Sequence, residues 1–189
     1  MYQRLIIIMI VFCQFSCSSH IESAEAKKSQ VKEKFSYSLP QNWGLGYKVR
    51  QKNMLMKEFI PKGQDVKNWS EMLTIQIFHG GINRTALDFS NGVKHLWAQA
   101  CPGANFSKNF TRIENGYQAI YWKQICPKNP QTGKPETLSL KIISGNDSFY
   151  VAQKAWKSLP LKKDNDLWLG LFFDIAVCDT TIEKHSCSM

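Results

Sequence analysis

The fold is decided by residues 110–126, which read FTRIENGYQAIYWKQIC. Two runs rich in β-branched and aromatic residues flank Asn115-Gly116, the dipeptide that most strongly favours a tight hairpin turn, because Asn and Gly both accept a positive φ. These residues predict antiparallel strands at Phe110–Glu114 and Tyr117–Cys126. A sheet built from such hairpins has an apolar face, which helices from other parts of the chain must cover.

Extended segments lie on both sides of this hairpin. Each has the alternating or continuous apolar character of a strand and is bounded by turn-forming residues. The predicted strands before it are Phe35–Leu39, Tyr47–Lys52, Met54–Ile60 and Met72–Phe78. The two predicted strands after it, Leu138–Ile143 and Phe149–Trp156, flank the turn residues 144–147 and form a second hairpin.

Two segments change to a helical period. In the first, the pair Thr85 and Asp88 forms a capping-box pattern, and the apolar residues of one helix face follow: Phe89, Val93, Leu96, Trp97 and Ala100. The second helix is predicted to begin at residues 164–166, and its stripe is Leu167, Trp168, Leu171, Phe172, Ile175 and Cys178. The order of elements predicts an α+β domain with an antiparallel sheet of about six or seven strands covered by two amphipathic helices.

The N-terminus has the order of a secretory signal. Arg4 precedes the unbroken apolar run Leu5–Cys13, which is shorter than the roughly 20 residues that span a bilayer. Export to the periplasm or the extracellular space follows from it. The predicted organisation is a signal peptide over 1–19 with cleavage between 16 and 26, a flexible arm over 20–34 and a single domain over 35–189.

Two processing products fit this leader. A soluble exported protein is favoured, because Gln14 and Phe15 match a lipidation site poorly. The alternative is a cell-envelope lipoprotein anchored through Cys17. In the soluble product, Cys13 and Cys17 leave with the signal, so the six cysteines of the chain become four.

Four cysteines in an oxidising compartment predict two disulfides. The pairs that close short loops are Cys101 with Cys126 and Cys178 with Cys187. A metal site built from Cys178, His185 and Cys187 is the alternative. It lacks a fourth ligand and the C-x-x-C spacing of structural zinc sites, so no metal is predicted.

Two strings resemble known families. Residues 35–43 read FSYSLPxxW and, with the order of elements, resemble the PsbP-like fold, which a photosystem II extrinsic subunit, a Ran-binding import factor and bacterial envelope proteins share. Residues 60–76 follow I-P-x-G-Q-x-V-x-N-W-S-E-M-L-T-x-Q, a pattern similar to one in small secreted bacterial proteins. The resemblance implies a binding scaffold in a bacterial exported protein. It implies no activity, because a fold does not fix a function.

The chain is basic, with 24 Lys and Arg against 15 Asp and Glu and a formal net charge of +9. Lys48, Arg50 and Lys52 recur at every second position, so a strand would project all three from one face at ~6.6–6.8 Å spacing. Such a row suits an anionic partner. The alternative is a solvated edge strand that its charges protect from aggregation.

Two tryptophans are further candidates for a binding site. Trp43 opens the segment Trp43-Gly44-Leu45-Gly46, which could be a binding loop but is better interpreted as a turn between two strands. Trp69 would anchor a partner or a sugar if it were exposed, and would be a core residue if it were buried.

Catalytic motifs such as G-x-S-x-G, H-E-x-x-H and the P-loop are absent from the sequence. A hydrolytic or metal cluster of Glu71, His79 and His95 is the remaining catalytic hypothesis. We therefore predict an exported non-catalytic binding protein of a bacterium, of the secreted-effector kind, with a secreted hydrolase using His79 or His95 as the alternative. The predicted partner is a protein, a glycan or an anionic lipid surface in preference to nucleic acid, with no cofactor and a monomeric chain.

Overall fold

The computed structural model describes residues 32–80, 85–179 and 181–182. The predicted signal peptide, its cleavage site and Cys17 lie outside the described residues, as do His185 and Cys187. Contacts group Val31–Met189 into one compact unit.

The described residues form ten strands and two helices. In chain order these are β1 (Glu33–Ser36), β2 (Trp43–Gln51), β3 (Met54–Pro61), β4 (Glu71–His79), α1 (Ala86–Ala100), β5 (Asn105–Phe106), β6 (Phe110–Glu114), β7 (Tyr117–Cys126), β8 (Glu136–Ser144), β9 (Ser148–Trp156), α2 (Lys162–Asp174) and β10 (Ala176–Asp179). Within this part of the chain, eight strands form one antiparallel sheet in the order β2-β3-β4-β9-β8-β7-β5, with β6 also paired to β7. Strands β1 and β10 pair separately as a short antiparallel ribbon.

The two faces of the sheet have different covers. Phe149 and Tyr150 are successive residues of β9 and therefore point to opposite faces. Phe149 packs on Phe89 of α1 at 5.2 Å between ring centroids, whereas Tyr150 packs on Phe35 of the ribbon at 5.0 Å. The ribbon and α2 share the second face, where their apolar residues join one buried core. No helix among the described residues is long and apolar enough to cross a membrane.

The locally encoded elements are as predicted. The α+β class with a mostly antiparallel sheet and two helices is confirmed, with eight sheet strands in the described residues rather than six or seven. Asn115 and Gly116 have φ values of 48° and 81°, as the hairpin turn requires. The Thr85 hydroxyl accepts a hydrogen bond from the Asp88 amide at 3.0 Å and so caps α1.

The second helix differs from its prediction at both ends. It begins at Lys162 after Leu161, whose side chain makes no capping hydrogen bond, so residues 164–166 lie inside the helix. It ends at Asp174, because residues 176–179 pair with β1 and form β10. Ile175 and Cys178 are therefore not helical. Ile175 and Val177 are both buried, and Val177 pairs with Phe35 of β1.

Residues 43–46 are not a turn. They open β2, where Trp43 pairs with Pro61, and the register shifts between Leu45 and Tyr47. Gly46 is needed at this irregularity, because a Cβ there would lie 2.8 Å from Cδ1 of Ile60. The predicted arm is also too long, since Glu33 and Lys34 belong to β1.

The first predicted disulfide is present. Cys101, at the end of α1, is bonded to Cys126, the last residue of β7. Cys178 is disulfide-bonded as well, and its predicted partner Cys187 lies outside the described residues. Cys178 is therefore not a free thiolate for a metal. The described part of the chain contains no group of three or more potential metal ligands.

Candidate functional site

The predicted basic row is shorter than its spacing suggests. Strand β2 lies at the edge of the sheet, and Lys48 and Arg50 are exposed on it. Lys52 lies in the turn after β2, with a φ of 49°, and so leaves the alternation of the strand. The row therefore has two members on the strand and a third basic residue in the turn.

The two candidate tryptophans lie against lysines. Trp43 is half-buried, with its ring 4.9 Å from that of Trp168 and 4.3 Å from Nζ of Lys154. Trp69 is half-buried as well, and Nζ of Lys157 lies 4.3 Å from its ring. Trp43 is thus part of an internal cluster rather than a free platform, and Trp69 combines a packing contact with partial exposure.

The cluster of Glu71, His79 and His95 does not form. Glu71 and His79 are the first and last residues of β4, which places them roughly 26 Å apart at ~3.3 Å per residue. His95 is exposed on α1, where its Nε2 lies 3.1 Å from Nε2 of Gln99. Burial and the nearby Arg50 lower the pKa of His79. These residues therefore do not converge on a common substrate.

A buried lysine enclosed by tryptophans is the first unexpected feature of the face under α2. Lys154 is fully buried, and its Nζ lies 4.3 Å from the rings of Trp43 and Trp168 and 4.7 Å from that of Trp156. It donates a hydrogen bond of 2.6 Å to Oε2 of Glu71. Burial lowers the pKa of Lys154 to about 7, and the Glu71 carboxylate opposes that shift.

A second buried lysine lies under the C-terminal end of α2. Nζ of Lys141 donates to the carbonyl oxygens of Phe172, at 2.9 Å, and of Ile175, and pairs with Oε2 of Glu114 at 2.6 Å. Burial lowers its pKa, and Glu114 opposes the shift. A cation at this position also complements the negative end of the helix dipole. Together with Lys154, it fixes α2 over the sheet.

A pocket of about 400 Å³ lies beside α2, facing β7, β8 and the segment 107–110 that joins β5 to β6. Its wall is largely aromatic. The ring of Tyr121 lies 6.1 Å from that of Phe110 and 5.8 Å from that of Phe173. Three apolar side chains at the rim are exposed to solvent: Phe110 by 56%, Leu169 by 55% and Phe173 by 43%.

The outer wall of this pocket is held by the helix on the opposite face. Nζ of Lys94 in α1 donates to Oδ1 of Asn109 at 2.6 Å and to the carbonyl oxygen of Ser107 at 3.3 Å. Nδ2 of Asn109 in turn donates to Oγ of Ser90 at 3.0 Å. The segment between β5 and β6 is thus held in place by side chains of α1.

The polar end of the pocket is basic. Nζ of Lys123, on β7, donates to Oδ1 of Asn165 at 2.7 Å, and burial lowers the pKa of this lysine. Lys108 also lines the pocket and is exposed; it follows Ser107, whose amide donates to the carbonyl oxygen of Lys123 at 2.9 Å. Asp166 also lines the pocket, but its carboxylate pairs with Lys162 at 2.6 Å. Among the described residues, no carboxylate forms an ion pair with Lys123.

Sequence reasoning missed this pocket, although two signals point to it. Helix α2 carries Leu169 and Phe173 outside its buried stripe, which is more apolar surface than one packed face needs. Lys123 interrupts the apolar strand β7, two residues after Tyr121, and the two side chains therefore lie on the same face of the sheet. Neither signal predicts a pocket by itself, because the pocket depends on where α2 packs on the sheet. The sequence pattern does not give that position.

No protein-family model matches the sequence, and no curated protein is similar to it. Several solved structures resemble the chain. The Ran-binding protein Mog1p of Saccharomyces cerevisiae is 9% identical, with a TM-score of 0.45 over 75% of this chain and 79% of that chain. LpqN of Mycobacterium tuberculosis, involved in cell envelope biogenesis, is 13% identical, with a TM-score of 0.39 over 76% of this chain and 80% of that chain. At these scores and identities, neither likeness assigns a family, a partner or an activity to this chain.

Proposed function

We propose that this chain is an exported, non-catalytic binding protein that receives an apolar group of its partner in the pocket beside α2. The pocket carries this proposal. Its volume of about 400 Å³ lies within the range of small-molecule sites, and its lining is mostly apolar with a few polar groups at one end. The exposed rim of Phe110, Leu169 and Phe173 extends the apolar surface outward, as interaction sites do.

The polar groups of the pocket support binding rather than catalysis. Ser139 lies opposite Lys123 in the register of β7 and β8, so a serine–lysine pair would be possible there. Nζ of Lys123 instead donates to Asn165, and the described hydrogen bonds include none between this Nζ and a serine hydroxyl; it is the backbone amide of Lys123 that donates to Oγ of Ser107, at 2.9 Å. A nucleophile needs a base within hydrogen-bond reach, and the pocket does not arrange one.

Export is supported by the charged-then-apolar leader and by the disulfide between Cys101 and Cys126, because such bonds persist in oxidising compartments. The lipid-anchored form through Cys17 is the alternative product of the same leader. Intact mass of the mature protein distinguishes the two, since an acylated cysteine adds the mass of its chains and a soluble product does not.

The pocket is tested by titrating the mature protein with N-phenyl-1-naphthylamine, a neutral apolar probe whose fluorescence rises on burial. Leu169→Asp should weaken saturable probe binding by about tenfold, because a bound probe would cover the exposed half of Leu169 and so gain about half of the roughly 1.5–3 kcal/mol of a fully buried leucine. Leu167→Asp is the matched control. Leu167 is also 55% exposed on α2 but does not line the pocket, so its variant should bind as the wild type does. Equal losses in both variants, or no saturable binding to the wild type, would refute the assignment.

The basic row on β2 remains a second proposed surface for an anionic partner. Its support is the exposure of Lys48 and Arg50 on an edge strand. Reversal of Lys48, Arg50 and Lys52 to Glu should abolish salt-sensitive binding of the protein to anionic vesicles. Unchanged vesicle binding by that variant would leave the row with the edge-protecting role alone.

A further inference from the structure

Among the described residues around the pocket, most charged side chains are paired, but Lys123 and Lys108 form no ion pair. Arg112 pairs with Glu114 at 3.3 Å, and Lys141 pairs with the same carboxylate at 2.6 Å. The carboxylate of Asp166 forms an ion pair with Lys162 at 2.6 Å. Lys123 has only the amide oxygen of Asn165 among the described partners, although it is half-buried beside aromatic rings.

The half-buried ammonium group of Lys123 has a neutral hydrogen-bond partner and no negative charge beside it among the described residues. Burial removes water from Nζ of Lys123, which is the cause of its lowered pKa, and one amide oxygen satisfies only one of its three donors. An anion placed beside it would form a charge-assisted hydrogen bond in a site of low dielectric constant. Lys108 also lines the pocket, next to Ser107, whose amide donates to the carbonyl oxygen of Lys123, and would add a second positive charge to the lining.

We propose that the pocket binds a small anionic amphiphile, with its acidic head group on Lys123 and Lys108 and its apolar chain along Phe110, Tyr121 and Phe173. This inference rests on the proposed function, because it needs the same pocket. Ser139, which also lines the pocket and lies opposite Lys123 in the register of β7 and β8, has a hydroxyl group that would be a further hydrogen-bond donor. The apolar chain of the ligand would pack on the aromatic wall without hydrogen bonds. The class of ligand is therefore determined by the head group.

The head group is tested with three probes that share a twelve-carbon chain: dodecanoate, dodecyl phosphate and dodecan-1-ol. Isothermal titration calorimetry of the mature protein, with each probe below its micelle concentration, gives the affinities. Both anions should bind about 10- to 100-fold more tightly than the alcohol, as expected for a charge-assisted hydrogen bond. The two anionic arms separate a carboxylate ligand from a phosphate monoester by their relative affinity.

Variants at one position assign the effect. Lys123→Met keeps the length of the side chain without its charge and should lower the affinity for dodecanoate to that of the alcohol, while the affinity for the alcohol stays unchanged. Lys123→Arg retains the charge and should preserve the discrimination. Lys134→Met, at an exposed lysine between β7 and β8, is the control for net charge and should behave as the wild type.

The outcomes separate the two proposals. If none of the probes binds, the pocket is not a ligand site, and the proposed function falls together with this inference. If all three bind equally, or if Lys123→Met and Lys134→Met have equal effects, the pocket stands and the anionic class is wrong. A loss of alcohol binding in a folded Lys123→Met protein would show that this lysine shapes the pocket and does not read the head group.

Discussion

Replacing Lys154 by Met should remove a pH dependence of stability that is specific to its tryptophan cluster. Burial lowers the pKa of Lys154 to about 7 in the folded protein, against an ordinary value of 10.5 for a lysine side chain. Between these two pH values the unfolded chain holds a proton that the folded chain does not, so the free energy of unfolding rises as the pH rises. Below about pH 7 both states are protonated, and the penalty of the buried charge is fully present and constant.

The size of this effect follows from the shift. A difference of about 3.5 pKa units corresponds to roughly 5 kcal/mol between the two limits, at 1.36 kcal/mol per unit. Between about pH 7 and about pH 9, the accessible part of this range is roughly 2 kcal/mol. Lys154→Met has no such proton. The gain in stability from the lower to the higher pH should thus be about 2 kcal/mol larger in the wild type than in the variant.

Urea denaturation followed by tryptophan fluorescence, at both pH values and for both proteins, measures this difference directly. All other titrating groups contribute equally to wild type and variant, so they cancel in the comparison. Lys134→Met, which removes an exposed lysine, should retain the pH dependence of the wild type. Parallel pH profiles for wild type and Lys154→Met would refute the reasoning, because Lys154 would then be solvated well enough to keep its proton in the folded state.

Two further changes test the fold. Gly46→Ala should destabilise the protein by about 1–3 kcal/mol in urea denaturation, because the new Cβ would lie 2.8 Å from Ile60. Gly44→Ala meets no atom within 4 Å and serves as its control, so equal losses would contradict the steric explanation. Removing the disulfide by the double variant Cys101→Ala and Cys126→Ala should cost roughly 3 kcal/mol, from the closed loop of 25 residues, and a loss well under 1 kcal/mol would contradict that estimate.

The parts of the fold that the sequence predicts are those whose signals are local. The turn at Asn115-Gly116 and the cap at Thr85 each need only a few neighbouring residues, and both are present. The predicted end of α2 was wrong because it depends on a contact between residues that are far apart in the sequence. Its helical spacing continues through Ile175, and only pairing with β1, which is distant in sequence, converts the next residues into β10. A strand defined by a partner so far away leaves a weak pattern in its own sequence.

The candidate site shows the same division between local and distant information. The basic row of Lys48 and Arg50 is visible in the sequence because its spacing is that of an exposed strand. Lys141 and Lys154 follow the same alternation but point inward, and their burial depends on where α2 packs. A lysine within an apolar strand therefore indicates either an edge or an internal contact with a helix. The strand pattern alone does not distinguish the two.

The position of α2 connects stability with recognition in this protein. Lys141 holds the end of the helix through two carbonyl oxygens, and Lys154 holds its middle through Trp168. These contacts determine where Phe173 and Asn165 lie, and hence the shape and the polar end of the pocket. Of the three inward-pointing lysines beneath α2, two have carboxylate partners from the sheet, and Lys123 has an amide from the helix. Because the first two are satisfied within the fold, the third is the position at which a ligand's charge would be gained without disturbing the helix.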